Sequence, residues 1–123
     1  MPSSRRSSGA MSALEVKRLG HRWQLPEPLI YRSGNDWVYV PRGFVTDLDS
    51  VPRVPGLHAL AAGRAVRSAV IHDWLYERQI PRLAADRRFA EAMRFQGVPA
   101  LIRWILYAGV RAFGWIAYRR MHG

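Results

Sequence analysis

The sequence predicts an α+β fold: a small N-terminal β-hairpin or sheet, then three packed α-helices. Three observations predict it. β-prone segments bounded by turn residues fill the first half, and the apolar residues change to helical spacing after Ala59. Pro81, Gly97 and Pro99 then punctuate the second half into three helical stretches. With 123 residues the chain suits one domain, taken as residues 13–123, after a flexible basic tail over residues 1–12.

The tail, MPSSRRSSGAM, is basic and small, and no apolar run follows it, so no secretory signal is expected. LEVKRLG suits one short strand. HRWQLPEPLIYR is broken by Pro26 and Pro28 and gives edge-like pieces. LIYR and WVYV flank the turn cluster Ser33 to Asp36, which predicts a hairpin. PRGFVTDLDSVPRVPG holds three prolines and two glycines and reads as a structured loop.

The first helix is expected from Ala59 to Glu77, with Ala62, Ala65, Val66, Ala69, Val70 and Trp74 on its apolar side. The second runs from Arg82 to Phe95, and Gly97 stops it. The third starts near Pro99 and runs towards Tyr118, leaving His122 in a frayed end. Short connections imply that the three pack together. The third run holds Arg103 and Arg111, and an Arg at the centre of a membrane span costs about 2.5–3.5 kcal/mol. A helix packed on the domain, or lying along a membrane surface, is expected in place of a spanning one. Trp104, Tyr107, Phe113 and Trp115 are expected in the core or an interface.

Composition narrows the chemistry. Without cysteine there are no disulfides, thiolate zinc sites or cysteine nucleophiles. The net charge is +10, and Lys17 is the lone lysine beside 18 arginines. That balance favours anionic partners: a phospholipid surface, nucleic acid or an acidic protein. No phosphate-binding glycine loop, zinc-finger spacing or nucleophile elbow is present. No nucleic-acid module is recognisable either, so nucleic-acid binding would rest on charge alone.

The stretch VIHDWLYERQ sets polar residues into an apolar helix. His72 lies three residues after Ala69, Asp73 four after it, and Tyr76 four after His72. All three fall on or beside the stripe that should face the core. A buried carboxylate needs a cation, a metal ion or several hydrogen-bond donors. The second helix repeats the pattern, because Asp86 lies three before Phe89 and four before Ala90. The short RQIPR connection brings Asp86 back near His72 and Asp73. A carboxylate behind an imidazole fixes its tautomer, both in hydrolytic sites and behind metal-ligating histidines. The competing expectation is a buried ion pair of Asp73 or Asp86 with Arg53 or Arg67. Asp47, Asp49 and Ser50 in the proline-bounded loop either serve the site or cap backbone groups.

Two resemblances attach to these residues. FVTDLDSVPR, AVIHDWLYE, ADRRFAEAMRFQGV and YAGVRAFG, in that order, resemble a family found mostly in phages and prophages, the domain of unknown function DUF thirteen-fifty-three. The likeness implies a role in virion assembly, lysis or host interaction, and a location in the host cytoplasm or the virion. Locally, His-Asp-x-x-Tyr followed by Asp-x-x-Phe on the next helix is similar to the helix pair of phospholipase A2 enzymes. That likeness implies that His72 activates water, Asp86 orients His72, Tyr76 bonds to Asp86, and Asp73 ligates calcium. Asp47 is the further candidate metal ligand, with calcium or zinc as the ion. The disulfides and glycine-rich calcium loop of that family are not recognisable here.

The leading expectation is therefore a divalent-metal-dependent ester hydrolase acting on phospholipid, with an anionic membrane or other phage proteins as partners. The alternative is a non-enzymatic virion or assembly component. In it the His/Asp set is a buried polar network, and the basic surface binds DNA or a partner subunit. An open cleft at His72 would favour the first, and a closed, paired network the second.

Overall fold

The computed structural model describes residues 10–11, 17–19, 22–46 and 64–122. The elements are β1 (Ala10–Met11), β2 (Lys17–Leu19), β3 (Arg22–Gln24), β4 (Leu29–Ser33), β5 (Asp36–Val40) and β6 (Val45–Thr46). Three helices follow: α1 (Arg64–Glu77), α2 (Arg82–Phe95) and α3 (Ala100–His122). Strands then helices make this an α+β protein. Contacts divide the chain into two compact units, Met1–Asp47 and Leu48–Gly123.

The first unit holds two three-stranded antiparallel sheets, ordered β1-β4-β5 and β2-β3-β6. The expected hairpin is β4–β5, with Ser33 opposite Asp36 and a two-residue turn between them. Gly34 takes a φ of +59° there, which costs glycine little. Alternation decides the faces. Leu29, Tyr31, Val38 and Val40 are buried, while Trp37 and Tyr39 are exposed. Arg32, opposite Trp37, lies over its ring.

Two expectations change in this unit. Ala10 and Met11, within the tail expected to be flexible, pair as β1 with Arg32 and Tyr31. The loop after β5 is also shorter than expected. Phe44 N–H bonds to Pro41 O, Gly43 turns at φ +89°, and Val45–Thr46 then pair with Gln24 and Trp23 as β6. Asp47, Asp49, Ser50, Arg53 and His58 lie outside the described residues.

The helical unit is built around a core of Ala69, Phe89, Met93, Val98, Ile102, Leu106 and Val110. α1 and α2 end in the same motif. Ile80 N–H reaches Leu75 O and Gln79 N–H reaches Tyr76 O; Val98 N–H reaches Met93 O and Gly97 N–H reaches Arg94 O. The left-handed residue is Gly97 at φ +80° in one case and Gln79 at φ +62° in the other. α3 runs four residues past Tyr118, so His122 is helical and not a frayed end. Among the described residues α3 is the one helix long and apolar enough to cross a membrane. Trp104, Phe113 and Trp115 are exposed on it and Tyr107 is half-buried, so the first three are not core residues.

Candidate functional site

Asp86 sits on the buried stripe of α2 with Ala85, Phe89, Ala92 and Met93. It is fully buried and charged, so donors must surround it. They come from all three helices. His72 Nε2 lies 2.6 Å from Oδ1, and the Tyr76 hydroxyl donates to the same oxygen at 2.7 Å. Arg111 of α3 donates to Oδ2 at 2.6 Å, and Arg82, one turn before Asp86, stands 3.6 Å from Oδ2. His72 and Tyr76 are one turn apart on α1, which is why both reach one oxygen. Their rings lie 4.2 Å apart, and Phe89 closes on the imidazole at 4.9 Å.

A second layer fixes the donors. Arg82 gives Nε to the Tyr76 hydroxyl at 3.3 Å and Nη2 to the carbonyls of Val110 and Arg111 at 2.7 and 2.9 Å. Tyr76 and Arg82 come this close to α3 because position 114 is glycine. A Cβ there would stand 2.5 Å from the Tyr76 hydroxyl and 3.4 Å from Arg82 Nη2. At the far end of α3, His122 Nε2 donates to the Tyr76 carbonyl, and its Nδ1 faces Gln79 Nε2 at 3.2 Å. Tyr118 lies edge-on to Tyr76 and donates its hydroxyl to Ile80 O at 3.1 Å.

Charge states follow from the environment. Burial alone pushes the Asp86 carboxyl up, but the hydrogen bonds from His72, Tyr76 and Arg111 more than offset it and hold it below the ordinary carboxylate range. Asp86 is therefore an anion. Burial holds the His72 imidazole below its ordinary value, against the opposing pull of Asp86. His72 is therefore neutral near pH 7 and donates through Nε2–H, which makes Nδ1 its basic nitrogen. Burial also pushes the Tyr76 hydroxyl up, so it stays a donor.

The structure thus joins His72, Tyr76 and Asp86, as the sequence suggested. Asp73 is buried too, but about 100° further round α1 than His72. Ser68 through Asp73 are all buried, so α1 is enclosed on more than one side. Among the described residues no group of three or more His, Cys, Asp or Glu is placed to hold a metal ion. Asp47, the other candidate ligand, lies outside those residues. Among the described residues the cations on Asp86 are Arg111 and Arg82; Arg67 donates to Gln96 at 2.9 Å, and Arg53 lies outside the described residues.

Sequence reasoning missed Arg82, Arg111, Gly114 and His122. Arg111 and Gly114 do lie in YAGVRAFG, the last of the ordered motifs. Arg111 follows Tyr107 by four residues on the flank of the buried stripe of α3, a position that does not by itself single it out among the arginines.

Fold and site define a small α+β protein whose helical unit closes on a buried His/Tyr/Asp/Arg network. The chain belongs to the family described as Protein of unknown function (DUF1353), whose model matches residues 23–110. No curated protein and no solved structure matches the chain. The family match covers His72, Tyr76, Arg82 and Asp86 and stops one residue short of Arg111.

Proposed function

We propose that this chain is a non-enzymatic assembly protein, in which the Asp86 network is a clasp between helices and the arginine-rich surface meets an anionic partner. The observation that carries the reading is the closure of the network. His72, Tyr76 and Asp86 are all 0% exposed, and both oxygens of Asp86 are occupied by donors. Hydrolysis needs a water at the basic nitrogen of His72 and a substrate carbonyl against that water, and burial opposes both. The net charge of +10 supplies the attraction for DNA or an acidic subunit. The phage setting implied by the family likeness is part of this reading.

A second reading is favoured by one observation. His72 donates Nε2–H to Asp86, and Tyr76 donates to the same carboxylate oxygen. A water-activating histidine in a phospholipase-like ester hydrolase needs that tautomer, and Asp73 would then ligate the divalent cation. One experiment separates the two. The full chain is incubated with phosphatidylglycerol vesicles in calcium, and fatty-acid release is followed beside a melt of each variant. The clasp reading expects no release from wild type and a large drop in melting temperature for Asp86→Asn. Release abolished by His72→Gln, with the variant still folded, would establish the hydrolase instead.

A further inference from the structure

The buried side of α3 is accounted for by the core: Ile102, Leu106, Val110, Gly114 and Ala117. Its opposite side is not. Leu101, Trp104, Ile105, Ala108, Ala112, Trp115 and Ile116 are all exposed, with Leu101 at 71% and Trp104 at 69%. At 3.6 residues per turn they fall on one face, about 120° wide and about 23 Å long. Arg119 is the charged residue on that line, and it lies over the Trp115 ring. Exposed apolar patches of this size mark interaction surfaces.

The order of residues along the face is symmetric about position 110. Ala108 and Ala112 sit two residues to either side of it, Trp104 and Ile116 six, Ile105 and Trp115 five. A two-fold axis across the helix at that height sets a second α3 antiparallel to the first. Trp104 of one copy then meets Trp115 of the other, Ile105 meets Ile116, and Ala108 meets Ala112. Bulky pairs lie at both ends and the small pair at the crossing point, where the backbones come closest. A two-fold interface requires this self-complementarity, and an arbitrary apolar face does not have it.

We propose that the outer face of α3 docks on the same face of a second copy of this chain, antiparallel, with Ala108 and Ala112 at the crossing. The exposed parts of these side chains come to roughly 550 Å² per copy, so docking buries at most about 1,100 Å² for the pair, the low end for a specific interface. A dimer that dissociates at micromolar concentration is expected. The net charge of +10 lies mostly off this face, so the copies repel through solvent. Added salt should therefore tighten the dimer, the opposite of its effect on binding to anionic lipid or DNA.

The test is sedimentation velocity on the full chain over a hundredfold range of concentration, at low and high salt. Wild type should pass from monomer to dimer, and Trp104→Glu and Ala112→Arg should stay monomeric with unchanged melting temperatures. The chain has no cysteine, so single thiols report the geometry. Ile105→Cys and Ile116→Cys should each fail to cross-link with themselves, yet form a mixed disulfide dimer when combined. A wild type that stays monomeric throughout overturns the proposal. So does self-linking of either single-cysteine variant, which would mean parallel packing. Binding to phosphatidylglycerol vesicles that Trp104→Glu abolishes, with no dimer in their absence, would assign the face to lipid.

Discussion

Asp86 carries more of the helical unit than any neighbour, because four side chains from three helices converge on it. Asp86→Asn keeps the shape but removes the charge, leaving Arg111 and Arg82 without their anion. Breaking one partner of a buried ion pair costs about 3–5 kcal/mol, and the lower end is expected because Arg111 is 36% exposed and can turn to water. Urea unfolding of the variant measures the loss. His72 adds a pH dependence whose sign follows from its lowered pKa. The folded chain holds His72 neutral, whereas the unfolded chain protonates it below about pH 6.5. Stability is thus fully present above that value and drains away as pH falls below it. The lowered pKa of Asp86 adds a further loss below about pH 4. Melting temperatures between pH 7 and pH 5 should fall for wild type, and the slope should flatten in His72→Gln. Gly114→Ala tests the closest contact. The new methyl meets the Tyr76 hydroxyl, and overpacking of this kind costs about 1–3 kcal/mol. Combined with Tyr76→Phe, which removes that hydroxyl, the methyl should cost clearly less, a non-additivity that a double-mutant cycle reads directly.

Among the elements, those with strong local signals were legible. α2 runs over the expected Arg82–Phe95, because Pro81 starts it and Gly97 ends it. The β4–β5 hairpin follows from Ser33 to Asp36 between two β-prone runs. Gly97 has open space where a Cβ would stand, so Gly97→Ala should cost about 1 kcal/mol through backbone conformation alone; guanidinium unfolding checks it. The misses have physical reasons. α1 does end at the expected Glu77, but Gln79 closes it in a left-handed conformation that glutamine rarely takes, so the form of the cap was not readable from residue type. α3 outlasts its apolar pattern because His122 bonds back to the Tyr76 carbonyl, a contact 46 residues away. β6 is two residues long and is defined only by pairing with β3. The candidate site was half legible. His72, Tyr76 and Asp86 announce themselves as polar residues on apolar helix faces. Their cationic partners do not, since any of 19 basic residues could have supplied them.

At the scale of the whole molecule, the clasp is completed in chain order. His72, Tyr76, Arg82 and Asp86 are all present once α2 is made, but Arg111 comes 25 residues after Asp86. A chain that stops before Arg111 holds a carboxylate that it can bury only against neutral donors and one distant guanidinium. Chains cut after Phe95 should therefore be digested by trypsin at the arginines of α2 under conditions where the full chain resists. The full-length Arg111→Ala variant should fall between the two, and digestion time courses would rank the three. An unfinished chain should thus be the more open one to proteases: until the last helix arrives, the carboxylate that will join three helices draws its donors from only two.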